Sequence, residues 1–137
     1  MDDAISRLKT VVVLPCAVKE AKKILGNEGK YFHIVEIVKR LVHFGDRNEL
    51  WDLRIDSIGD FYELKLKGHL LGKVNLRIYF AELEDSGEIV VLKSYKKEDE
   101  HQTPRHIVIN LEHRLEEYIK KSDQERLIIY HKIEMDL

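Results

Sequence analysis

Cysteine is almost missing from this 137-residue chain: Cys16 stands alone, so no internal disulfide can form and a packed core must hold the fold. A single thiol fits a reducing compartment, and in or after a strand it reads as a small buried apolar residue. Proline is nearly as scarce, and its two copies, Pro15 and Pro104, stand where regular segments stop or begin. No apolar run approaches a membrane span, because the longest, Val11 to Val18, is interrupted by Pro15. A one-signed charge is also lacking: the formal net charge is -2 although 35% of residues are charged. Any basic site must therefore be local and matched by acid elsewhere. There is no Gly/Ser linker, low-complexity tract or internal repeat. Met1-Asp2-Asp3 is acidic where a secretory signal would be basic, so a cytoplasmic chain without membrane contact is expected.

What is present suffices for one core and not for two, with 44% hydrophobic residues. One domain over residues 1–137 is expected, with 1–9 as an N-terminal arm and 122–137 as a tail. Thr10 to Leu14 is a β-branched run stopped by Pro15, a first strand. Ala17 to Leu25 switches to helical period, with Ala17, Val18, Ala21, Ile24 and Leu25 on one face. A second helix is expected from about Lys30 to Phe44, buried through Ile34, Val35, Val38, Leu41 and Val42 and stopped at Gly45. The pair should cover one face of the sheet that follows.

From Leu50 the period returns to two. Trp51, Leu53 and Ile55 oppose Asp52, Arg54 and Asp56, and Tyr62, Leu64 and Leu66 oppose Glu63, Lys65 and Lys67. In the next strand Val74, Leu76, Ile78 and Phe80 oppose Asn75, Arg77, Tyr79 and Ala81. Glu84 to Gly87 turns the chain into the apolar run Glu88 to Tyr95. Thr103 as N-cap and Pro104 at the first position open a last helix to Ile119. The tail after Lys121 alternates again and reads as an edge strand, a place for a partner or a homodimer. The fold class is α+β, a small antiparallel sheet with an N-terminal helix pair and a C-terminal helix packed on it.

Four pieces of this chain, in order, resemble the phage-derived, HigB-like branch of the RelE/ParE toxin superfamily. They are Trp51-Asp52-Leu53-Arg54, Arg77-Ile78-Tyr79-Phe80, the paired Lys96-Lys97, and Thr103-Pro104 opening a helix. The likeness spans roughly Thr10 to Lys121. It departs where Glu98-Asp99-Glu100 lengthens and acidifies the link from the lysines to Thr103. The resemblance implies a toxin of a type II toxin-antitoxin system that cleaves messenger RNA, commonly on the ribosome, and is silenced by a helix-turn-helix antitoxin. It implies no metal and no organic cofactor.

Metal-free RNA cleavage needs the 2′-hydroxyl deprotonated or oriented, the transition-state charge stabilised and the leaving oxygen protonated. For catalysis the candidates are Arg77 as a phosphate donor, Lys96, His101 for proton transfer, and Tyr95. For RNA binding they are Arg54, Lys65, Tyr79, Lys97 and Arg105. Plainer readings stand beside these: Arg54 and Arg77 pairing with Asp52, Asp56 and Glu63 across strands, the lysines in a solvated loop, and His101 as a surface histidine. His33, His43, His106 and His113 lack companions at metal-site spacing, so no metal site is expected. Two further functions use the same fold: a non-catalytic ParE-like inhibitor of a protein such as gyrase, and an inactive phage-derived scaffold.

Overall fold

A computed structural model describes residues 8–98 and 102–121. The chain runs β1 (Thr10–Val13), α1 (Pro15–Leu25), α2 (Glu28–Lys39) and a 3-10 turn (Arg40–His43). It continues through β2 (Arg54–Ile58), β3 (Phe61–Lys67), a short 3-10 turn (His69–Leu71), β4 (Asn75–Leu83), β5 (Glu88–Lys96) and α3 (Arg105–Lys120). The expected tail strand, most of the N-terminal arm and His101 lie outside the described residues. Among the described residues no helix is long and apolar enough to cross a membrane.

The fold is α+β, as expected, but the sheet is mixed rather than wholly antiparallel. Strand order is β1-β5-β4-β3-β2, with β1 parallel to β5 and every other pair antiparallel. The cause is the helix pair, which carries the chain from β1 to the far edge; the meander then walks back until β5 reaches β1 running the same way.

Local chemistry fixes the helices. Pro15 opens α1 at a position whose missing N–H costs nothing, and Gly26, at φ 61°, ends it in the left-handed conformation. Asn27 then caps α2 by accepting from the Lys30 N–H at 2.9 Å, so the residue next to the one that stops the first helix starts the second. The second helix ends at Lys39, short of the expected Phe44, and tightens into the 3-10 turn.

Both faces of the sheet are buried. Leu64, Leu66, Ile78, Phe80, Ile89 and Val91 pack under α1 and α2, whose buried stripes largely follow the sequence, with Tyr31 added, Ile24 and Val42 only partly buried, and Leu41 buried from the 3-10 turn. Phe44 seals the rim of this core, with its ring centroid 4.8 Å from Tyr62 and 5.3 Å from Phe80. On the other face Val12, Tyr79, Ala81, Val90 and Leu92 lie under Ile107, Leu111 and Tyr118 of α3. Each large aliphatic or aromatic side chain fully removed from water contributes about 1.5–3 kcal/mol. The face expected to be wet is therefore dry beneath α3 and polar only toward β3 and β2.

Two sequence expectations fail locally. Trp51 is not on a strand but in a turn, 81% exposed. Arg40 reaches across to Asp52 at 2.6 Å and to the Glu49 carbonyl at 2.9 Å, and the Leu53 N–H donates to the Leu50 carbonyl, so alternation begins to govern only at Arg54. Thr103 does not cap α3, since Pro104 occupies the cap position and the threonine hydroxyl is spent elsewhere.

Candidate functional site

Register brings the polar residues together. Glu63 lies opposite Tyr79, Lys65 opposite Arg77, Asp56 opposite Glu63, and Tyr95 opposite Arg77. Cross-strand partners share a face, so these side chains gather where α3 no longer covers the sheet. Thr103, just before α3, comes down onto the same spot.

At its centre is Glu63, 4% exposed, beside Arg77, 1% exposed. Its Oε2 accepts from the Tyr79 hydroxyl at 2.8 Å and the Thr103 hydroxyl at 3.2 Å, with Arg77 Nε at 3.5 Å. Its Oε1 has Lys65 Nζ at 4.0 Å, and Lys65 in turn holds Asp56 Oδ2 at 2.6 Å. Arg77 also donates through Nη1 to Asn75 Oδ1. A buried ion pair stands only when such bonds satisfy it. Above Glu63 opens a pocket of about 430 Å³, lined among others by Asp56, Lys65, Lys97, Gln102 and Thr103.

These surroundings set the protonation states. Burial pushes the Tyr79 phenol well above its ordinary range, and the bonded Glu63 carboxylate adds to this against the Thr103 bond and the Arg77 charge. Tyr79 is therefore a fixed donor, not a proton carrier. The hydrogen bond from Lys65 holds the Asp56 carboxyl below its usual range, outweighing slight burial, with the charges of Lys65, Arg54 and Arg77 helping.

Of the residues singled out from sequence, Arg77, Tyr79, Lys65 and Lys97 converge here. Lys97 is 7% exposed, and its N–H donates to the Asn75 carbonyl at 2.9 Å, which extends the β4–β5 ladder by one residue. Tyr95 is half-buried on the same face, and Arg54 is exposed at the rim opposite Lys65. Lys96 lies opposite Leu76 and so belongs to the opposite face, where it is exposed. Arg105 is exposed on the first turn of α3. Among the described residues no three His, Cys, Asp or Glu side chains gather to hold a metal ion.

Two members of the site escaped sequence reasoning. Glu63 entered only as a partner for arginine, and Thr103 only as a helix cap. The signal for Glu63 was its parity: it shares a face with Lys65, on the strand next to Arg77. Together the groups offer a buried carboxylate with one oxygen saturated by donors and the other 4.0 Å from the Lys65 ammonium, an arrangement able to take a proton and steady an anion. Comparison with protein-family models, curated proteins and solved structures finds no match to this chain.

Proposed function

We propose that this chain is the toxin of a type II toxin-antitoxin system and cleaves messenger RNA on the ribosome without a metal. The observation that carries the reading is the Glu63 pocket: a fixed carboxylate beside Lys65 and Lys97 in a cleft of about 430 Å³. The order of strand, helix pair, meander and helix supports it as well.

In this reading Glu63 Oε1 takes the proton of a ribose 2′-hydroxyl. The 2′-oxygen attacks the adjacent phosphorus and the 5′-oxygen leaves with a proton from a neighbouring acid, giving a cyclic phosphate and a free 5′-hydroxyl. Lys65 and Lys97 stabilise the extra charge on the phosphate oxygens. Arg77, Tyr79 and Thr103 are positioning residues, since all three act on Glu63. The partner of such a toxin is a helix-turn-helix antitoxin.

Purified protein added to translating ribosomes with a defined messenger should produce cuts, mapped by primer extension. Glu63→Gln should reduce them by about 100-fold, the usual scale for loss of a general base. An intact messenger overturns the nuclease reading. A second reading, a non-catalytic inhibitor of a protein target such as gyrase, is favoured by one observation: Glu63 and Arg77 already lie buried together as an ion pair, with Nε 3.5 Å from Oε2. Intact messenger together with inhibited DNA supercoiling selects it.

A further inference from the structure

β2 closes the sheet, with β3 on one side and an open edge on the other among the described residues. The two-residue loop Gly59-Asp60 makes Ile58 and Phe61 the bonded pair that closes the hairpin. Bonded and non-bonded pairs alternate from there, so Arg54, Asp56 and Ile58 direct their backbone groups to β3 while Ile55 and Ser57 direct theirs outward. The bond from Lys97 N–H to the Asn75 carbonyl fixes the same parity from the other side of the sheet. It turns Asn75, Arg77 and Tyr79 toward β5, hence Leu64 toward β4, and Glu63 and Lys65 toward β2.

We infer that this edge pairs with the same edge of a second copy of the chain, antiparallel, with Ile55 on the two-fold axis. That register sets Ile55 against Ile55 as a mutually bonded pair and Ser57 against Leu53. It also sets Arg54 of each copy against Asp56 of the other, in the non-bonded positions where side chains come closest. The neighbouring registers fail on charge, because one puts Asp56 on Asp56 and the other Arg54 on Arg54. Arg54 is exposed and has no ion pair among the described residues, whereas Asp56 is half exposed at its side chain and holds Lys65 through Oδ2.

The opposite side of this edge is largely apolar. Phe44, Leu50, Leu53, Ile55 and Tyr62, with Asp46, Arg47 and Ser57 among them, line a groove of about 360 Å³. Edges are ordinarily guarded by charge, proline or a bulge; β2 has no proline and no bulge, and its two charges, Arg54 and Asp56, are opposite in sign, so in this register they attract across the edge rather than guard it. The second copy's Ile55 and Leu53 would cover the groove. Asp56 and Ser57 also line the Glu63 pocket, so pairing delivers an arginine from each copy to the rim of the other's pocket. That last consequence alone rests on the nuclease reading.

Sedimentation of the whole chain tests the pairing. The wild type should run at twice its 16.2 kDa chain mass. Arg54→Asp and Asp56→Arg should each run as monomers, and an equimolar mixture of the two should run as a heterodimer, because every 54–56 contact between them is again opposite in sign. Ser57→Pro, which removes an outward N–H that β3 does not use, should also be monomeric while keeping the wild-type circular dichroism. A wild type that stays monomeric into the high micromolar range overturns the proposal, as does a dimeric wild type whose charge reversals neither dissociate it nor complement each other. Mass and cleavage are read separately, so loss of the nuclease reading leaves the pairing result standing.

Discussion

Arg114 of α3 grips Glu20 of α1 with both prongs of its guanidinium, Nη2 to Oε2 at 2.7 Å and Nη1 to Oε1 at 3.0 Å. The pair sits where β5 runs on past its parallel partner, since β1 covers only Glu88 to Val91. Beyond that point Leu92 offers its carbonyl to Arg114 at 2.8 Å, and Ser94 donates its N–H to Glu20 Oε1 at 3.1 Å. Two side chains stand in for the missing strand and tie both helices to the sheet edge.

Removing one of them should therefore cost more than a surface ion pair does. Breaking a fully buried pair costs about 3–5 kcal/mol; here the partners are 21% and 25% exposed, and Arg114→Ala should destabilise by about 2 kcal/mol. Arg114→Lys should recover less than half of that, because an ammonium cannot bond Glu20 and the Leu92 carbonyl in the same fork. Urea unfolding followed by circular dichroism measures both.

The same pair gives an acid limb to stability. Burial alone would raise the Glu20 carboxyl, but the bonds from Arg114 and Ser94 and the charges of Arg114 and Lys93 outweigh it and hold the group below its ordinary 4.5. A carboxyl depressed in the folded state contributes stability fully present above its unfolded value and lost as pH falls through the folded one. The gap in unfolding free energy between wild type and Glu20→Gln should be open at neutral pH, begin to narrow as the pH falls past the ordinary carboxyl value of 4.5, and close only below the lower folded-state value.

Much of this architecture was legible because alternation reports which side chains share a face. The stripes of α1 and α2 and the two faces of β3 and β4 follow from period, and the deep burial of β5 from its unbroken apolar run. Period does not report neighbours across a sheet. The parallel contact of β1 with β5 depends on where the helix pair sets the chain down. The placement of Lys96 and Lys97 on opposite faces follows from strand pairing continuing to the end of β5, which a lysine pair before an acidic loop does not announce. Trp51 misled for a different reason: backbone turns, closed by the Leu50 N–H on the Asp46 carbonyl and the Leu53 N–H on the Leu50 carbonyl, occupy the stretch that alternation reads as strand. Thr103 had two uses for one hydroxyl, and the buried carboxylate won over the helix cap.

Tyr79→Phe isolates what a single hydroxyl does for the site. The ring keeps its place under α3, so the packing loss is small, while Glu63 Oε2 loses its 2.8 Å donor. A hydrogen bond to a charged buried group is worth about 1.5–3 kcal/mol, and the variant should lose close to the lower figure because Thr103 still donates. If the nuclease reading holds, cleavage should fall by about 10-fold through misplacement of Glu63.

The two adjacent lysines offer the sharpest separation of the site from its surroundings. Lys97 lines the pocket and is nearly buried, whereas Lys96 is exposed on the other face of the sheet. If the anion sits above Glu63, Lys97→Met should lower cleavage by about 100–1000-fold, the range for removing a group aimed at a developing negative charge, while preserving the aliphatic packing of the stem. Lys96→Met should leave cleavage within about 3-fold, because an exposed cation on the far face reaches the pocket only through screened, long-range attraction. Single-turnover cleavage of one messenger by both variants, at low and at physiological salt, compares them. An equal loss in both would place the anion along the end of β5 rather than in the pocket, and would remove Glu63 from the chemistry.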